Sequence, residues 1–416
     1  MNALARGRVW AYGALALPLS FAALPIYVHV PRFYEQVTGM DLALLGALLL
    51  LARLFDAFTD PWLGWLADRF SRPRMIALAM LPFAAGFVAL LHPLASHPAW
   101  WLLGSLLLTY LGFSAVTVAY QAHGAGMTEV PAVRTRLTAV REGFGLLGIL
   151  LAATLPSLLA SSLQVGTARL SWVLLALLLP AALCFFAWAR GGGVPRVAAP
   201  AFGRAAPLWS SLRRVLVDAP FQRLLGVFLI SGIASALPAT LFLFFVADVL
   251  QSEDASGPLL GLYFLAGALS LPGWVVLAGR IGRVRAWLWA MGLSVVAFAG
   301  AGLLGAGDVP SFAVICLLSG LALGADLALP AAMAADLGER QRLSGAVFGV
   351  WNLVAKLNLA LAAGLVLPLL ALLSYVPGSG EGLGALRLAY AAVPLLFKTL
   401  AAVLLWRWRH QLETSS

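Results

Sequence analysis

Residues 53–61 read Arg53-Leu54-Phe55-Asp56-Ala57-Phe58-Thr59-Asp60-Pro61, inside a long run of apolar residues. At 3.6 residues per turn Arg53, Asp56 and Asp60 stand at i, i+3 and i+7 on one helical face. Two carboxylates one turn apart that face one cavity either coordinate a hard cation through oxygen or hold a proton, because like charges resist joint ionisation. Pro61 adds an acceptor, since it lacks an N–H and leaves the Ala57 carbonyl without its helical partner. The competing reading is a structural Arg53–Asp56 pair with Asp60 solvated. One arginine does not account for two acids, so the cation site is preferred.

Other polar residues interrupt apolar stretches further along the chain. Ser114, Thr117 and Gln121 share a helical face by the same i, i+3, i+7 spacing, although small hydroxyls in membrane helices often bond only to their own backbone. Arg141 lies about one and a half turns inside Arg136, at the level of Asp60. Lys356 stands about 21 Å from Arg342 along its segment, and Asp326 lies at a similar depth. Lys356 is read as a charge facing solute, or else as half of a Lys356–Asp326 ion pair. Lys398 is expected to snorkel toward the cytoplasmic face and to be structural.

The elements that position these residues follow from composition. The 416 residues are 62% hydrophobic and 11% charged, against roughly 25% charged in soluble domains. Twelve stretches are long enough to cross a hydrocarbon core of about 30 Å: 9–33, 41–67, 75–92, 98–121, 138–160, 168–189, 220–248, 257–279, 286–305, 309–334, 343–375 and 385–406. Each buried charge then costs roughly 2.5–3.5 kcal/mol on insertion scales and needs a reason. Counted back from Asp68, Asp56 is about 18 Å and Asp60 about 12 Å deep.

Arginines collect in alternate loops, which places both termini in the cytoplasm by the positive-inside rule. The net charge of +10 is therefore topological, and no nucleic acid is expected. The N-terminus has no convincing small-residue cleavage site and reads as a retained first span. Cys184 and Cys316 fall in apolar segments and receive no chemical role.

Residues 191–219, rich in Gly, Pro and Arg, read as a cytoplasmic linker between a half at 1–190 and a half at 220–416. The stretch from Pro61 to Arg72 recurs in outline from Pro272 to Arg283, 211 residues later. Two repeated six-helix halves resemble the major facilitator superfamily, whose halves rock about a site near the bilayer midplane. Gly64-x-x-x-Asp68-Arg69-x-x-Arg72 also resembles that superfamily's loop between its second and third helices. The resemblance implies a gate in which Asp68 pairs with a basic or helix-end partner. Gly279 occupies the acid's place in the second copy, so the gate is expected to be asymmetric.

The ungapped stretch from Phe33 to Gly64, with Ala52-Arg53-x-x-Asp56-Ala57-x-x-Asp60-Pro61-x-x-Gly64, is similar to the glycoside-pentoside-hexuronide:cation symporters. Tyr12-Gly13, Arg141, Trp351-Asn352 and Lys356 extend the similarity over most of the chain. The resemblance implies that Asp56, Asp60 and a helix-four hydroxyl, Ser114 with Thr117 beside it, bind sodium, lithium or a proton. It places Arg141 and Lys356 near the solute, and Ser20, Arg53, Gln121, Asp326 and Trp351 are further candidate solute contacts. Where the family has acids, this chain has Ser20 in helix one and Thr117 in helix four; where it has a stacking tryptophan, Gln121. The paired-acid motif after helix ten is altered to Asp336-Leu337-Gly338-Glu339. Removing two acids while keeping Arg141 and Lys356 makes the cavity more basic, so an anionic group on the solute is expected.

The expectation is an all-α integral membrane protein of the major facilitator fold, with about twelve transmembrane helices in two pseudo-symmetric six-helix halves. It is expected to act as a monomeric symporter of the bacterial inner membrane, moving a small sugar-like or anionic solute with sodium or a proton. It needs no cofactor. The alternatives are a sodium-coupled transporter of lysophospholipid or another amphipathic lipid, and a membrane sensor that has lost transport. No cluster of catalytic acids or metal ligands on a sizeable loop suggests an enzyme, and no repeated filter loop suggests a channel.

Overall fold

A computed structural model describes residues 6–94, 96–160, 163–190, 207–376 and 378–415. Helices follow one another over every expected span. They are α1 (Arg6–Ala14), α2 (Ala16–Leu24), α3 (Val30–Thr38), α4 (Leu42–Arg69), α5 (Arg72–Leu90), α6 (Pro98–Ala125), α7 (Pro131–Leu159), α8 (Leu163–Arg190) and α9 (Leu208–Val217). The chain continues through α10 (Ala219–Phe244), α11 (Ser256–Ile281), α12 (Arg283–Ala301), α13 (Val309–Gln341), α14 (Ser344–Leu372), α15 (Leu383–Arg387) and α16 (Val393–Ser415). Among the described residues, 10 helices are long and apolar enough to cross a membrane by length and composition alone. The first expected span is instead a succession of short pieces, α1 to α3. The second, α4, carries the buried charges that lower its hydropathy.

The chain divides into two compact units. One comprises residues 1–215 with 335–353, the other 216–334 with 354–416.

In the first unit, glycines let helices approach backbone to backbone, as small residues do in membrane bundles. A Cβ at Gly112 of α6 would lie 2.3 Å from the Phe83 nitrogen of α5, and one at Gly148 of α7 would lie 2.2 Å from the Leu17 carbonyl of α2. The last turns of α13 and the first ten residues of α14 belong to this unit. Part of the linker expectation, 191–206, lies outside the described residues. The remainder is not a plain spacer: Leu208, Ser211, Leu212 and Val215 form a buried face on α9, a helical i, i+3, i+4, i+7 stripe that the surrounding arginines obscure in the sequence.

The second unit is built on α10, α12, α13 and α16, with an aromatic core at one end. There the π-helical turn Phe245–Val249 closes α10 and another, Leu388–Ala392, leads into α16. Phe245 stacks on Tyr390 with ring centroids 4.1 Å apart and on Phe312 at 5.3 Å. Offset aromatic contacts of this kind add modestly to the burial of their rings.

Candidate functional site

The middle of α4 holds the two acids. Asp56 is 2% exposed and Asp60 0%, and both Asp60 oxygens are shielded from solvent. From α6, Ser114 Oγ donates a 2.6 Å hydrogen bond to Asp56 Oδ1. The Thr117 hydroxyl is buried one turn further along α6, with no hydrogen-bond partner among the described residues. Carboxylates and hydroxyls are the oxygen ligands a hard cation takes. Arg53, placed by spacing on the same face, is exposed, whereas Asp56 and Asp60 are enclosed.

Gly64 and Asp68 meet the start of α14, and Arg69 and Arg72 follow them on the chain. The Asp68 carboxylate accepts from the backbone N–H groups of Gly345 at 2.6 Å and Ala346 at 2.8 Å. It thereby satisfies two of the donors that a helix N-terminus leaves unpaired and places negative charge at the positive end of the helix. Burial pushes the Asp68 carboxyl above the ordinary carboxylate range, and Arg72 and the two N–H groups pull it down. Gly64 is where the chains nearly touch, since a Cβ there would lie 2.2 Å from the Gly345 carbonyl. Arg72 Nη1 donates to the Ala122 carbonyl at 2.7 Å and lies 3.5 Å from Glu339. Arg69 stacks on Trp65, 3.8 Å from the ring centre.

The altered acids after helix ten have partners here too. Asp336 pairs with Arg134 at 2.5 Å, both nearly enclosed, and Glu339 accepts from Ser344 Oγ.

Around Arg141 the structure shows what the sequence argument missed. Both Nε and Nη2 of Arg141 contact one oxygen of the next residue, Glu142, at 3.0 and 2.5 Å. Arg141 thus brings no net positive charge to the first unit, and the expected basic balance is reduced by one. Ser20 packs on α7, its hydroxyl 2.8 Å from where a Cβ of Gly145 would be. Gln121 accepts from Asn352 Nδ2 at 2.8 Å, beside the buried Trp351. A small cavity is lined by Tyr12, Gln121, Thr138, Arg141 and Phe348, among others.

In the second unit Asp326 is paired with Lys398, at 2.5 Å. Lys398 therefore does not snorkel. It is 4% exposed, and its ammonium also donates to Ser231 at 2.9 Å and Ser235 at 3.1 Å. Trp287 Nε1 donates to the other Asp326 oxygen at 2.8 Å. Lys356 is half-buried, and Asp326 uses both oxygens on Lys398 and Trp287.

A family model described as MFS/sugar transport protein matches residues 9–411. The chain belongs to this family. The transporter is 25% identical to the isoprimeverose transporter of Lactiplantibacillus pentosus, over 94% of this chain and 85% of that one. It is also 25% identical to the glucuronide carrier protein homolog of Escherichia coli K12, over 95% and 90%. These relatives agree with the resemblance to glycoside-pentoside-hexuronide:cation symporters drawn from the α4 motif. In fold, the transporter is similar to a bacterial homologue of the iron transporter ferroportin, with a TM-score of 0.72 and 18% identity, covering 98% of this chain and 100% of that one. The protein is a multi-pass membrane transporter of the major facilitator fold that carries a small solute in symport with a cation.

Proposed function

We propose that the coupling cation binds at Asp56 and Asp60 with the hydroxyls of Ser114 and Thr117, and that the solute is a sugar or sugar-like molecule. One observation carries this reading: two enclosed carboxylates sit one turn apart on α4, and a hydroxyl from α6 is already directed at one of them. Two enclosed carboxylates are costly inside a bilayer. A bound sodium or proton removes that cost, so cation binding favours the state that also binds solute, and the two halves then move together to release both. The arginine-rich alternate loops support an orientation with both termini on the cytoplasmic side of a bacterial inner membrane. The α4 and α6 donors come from one chain, which supports a monomer as the working unit.

The solute class rests on the relatives, whose printed names are those of an isoprimeverose transporter and a glucuronide carrier homolog. Gln121, Arg141, Trp351 and Lys356 are the candidate solute contacts. Gly64, Asp68, Arg69 and Arg72 are the candidate gate, released when Asp68 leaves the start of α14.

The test is uptake into proteoliposomes under an imposed sodium gradient or an imposed proton gradient, with isoprimeverose, phenyl glucuronide and a lysophospholipid as labelled solutes. Accumulation of a sugar driven by one of the two gradients, and lost in Asp56→Cys and Asp60→Cys, supports the proposal and names the ion. Accumulation of the lysophospholipid alone replaces the solute class. No accumulation of any of the three under either gradient favours the sensor.

A further inference from the structure

We propose that Glu142 is the solute-binding carboxylate of the first unit, accepting hydrogen bonds from hydroxyl groups of a neutral sugar while Arg141 holds it in place. The inference rests on the sugar-like solute proposed above and assigns it a residue and a charge class.

Glu142 sits eleven residues into α7, roughly 16 Å from Pro131, where a carboxylate is expensive without a partner. Arg141 supplies one, but not in the two-oxygen fork that guanidinium and carboxylate groups form when they serve only each other. Nε and Nη2 both address Oε1, and Oε2 has no hydrogen bond within the described residues. Unlike Asp56 and Asp60, the Glu142 side chain is open, 23% exposed.

The large apolar residues that α7 exposes lie elsewhere on the helix. The exposed apolar residues of α7 include Leu147 and Leu151, which lie about 140° and 180° around the helix from Glu142 at 100° per residue. One turn to either side of Glu142 the helix is polar in its contacts. Thr138 lines the small cavity with Tyr12, Gln121 and Arg141, and Gly145 lies against the Ser20 hydroxyl. A carboxylate oxygen without a donor among the described residues, within electrostatic reach of the Tyr12 and Tyr120 hydroxyls, is an acceptor awaiting O–H groups. Sugar hydroxyls supply them as charge-assisted hydrogen bonds. A solute carboxylate at the same place would meet like charge, so the site selects a neutral sugar over a hexuronide.

The experiment measures binding of isoprimeverose, a neutral disaccharide, and of phenyl glucuronide to purified wild type, Glu142→Gln and Glu142→Asp, with thermal unfolding of each protein as the check on folding. Glu142→Gln should bind isoprimeverose about tenfold more weakly, in the range expected for a hydrogen bond to a charged group. It should bind phenyl glucuronide no more weakly than wild type, and Glu142→Asp should recover part of the loss. A loss of isoprimeverose affinity under threefold in folded Glu142→Gln overturns the inference and leaves the sugar reading intact. Wild type that binds neither sugar overturns both. If Glu142→Gln does not fold, carbodiimide labelling of wild type decides: isoprimeverose should protect Glu142 at least threefold, and labelling unaffected by the sugar overturns the inference.

Discussion

Ser114 Oγ, on α6, lies 2.6 Å from Asp56 Oδ1, on α4, so one hydroxyl ties the neighbouring helix to the acid pair. Ser114→Ala removes that donor from a nearly enclosed carboxylate. A lost hydrogen bond to a charged group is worth roughly 1.5–3 kcal/mol, and part of it is recovered when the cation binds. Half-maximal activation by the coupling cation should therefore shift about tenfold higher, with uptake at saturating cation largely kept. An unchanged cation dependence would remove Ser114 from the site.

Gly345 and Gly64 sit where α14 meets α4. A Cβ at Gly345 would lie 2.1 Å from the Gly64 carbonyl and 2.8 Å from Asp68 Oδ1. Gly345→Ala should lower stability by about 1–3 kcal/mol through overpacking, read as a lower melting temperature of the purified protein. Gly279→Ala, at the place that Asp68 holds in the first copy of the repeat, meets nothing within 4 Å and should stay within about 0.5 kcal/mol of wild type. Equal effects of the two substitutions would contradict the asymmetry.

The Lys398–Asp326 pair holds α16 to α13 in the second unit. Lys398→Met leaves the acid without its cation, and breaking a buried pair from one side costs about 3–5 kcal/mol. The double variant Lys398→Met with Asp326→Leu removes both charges and should regain most of that stability. Thermal unfolding of the two singles and the double gives the coupling directly. A double variant as unstable as the sum of the singles would show that the pair does not act as a unit.

Much of this was readable before any coordinates. Asp56 and Asp60 stand out because charge is rare in a span that must cross hydrocarbon, and their one-turn spacing is fixed by helix geometry. The Gly64 to Arg72 motif was legible through its resemblance to the superfamily's loop, which implies a basic or helix-end partner for Asp68. Glu142 was not, because neighbouring residues on a helix point about 100° apart and are not expected to pair. The Arg141 side chain folds back to reach it. The partner of Lys398 was hidden for another reason: Asp326 is 72 residues away, and hydropathy gives helix positions without saying which helices face each other. The α9 helix was obscured by composition, since its basic residues resemble those of a spacer.

A coupling cation held by Asp56 and Asp60 should change the stability of the folded transporter. The most direct measurement is thermal unfolding of the purified transporter with and without sodium across a pH range, in wild type and Asp60→Asn. A ligand that binds only the folded state raises stability by mass action. Sodium, or a change of pH if the cation is a proton, should stabilise wild type, and Asp60→Asn should lose the response. Wild type indifferent to both, or Asp60→Asn responding as wild type does, would contradict a cation site at this acid pair.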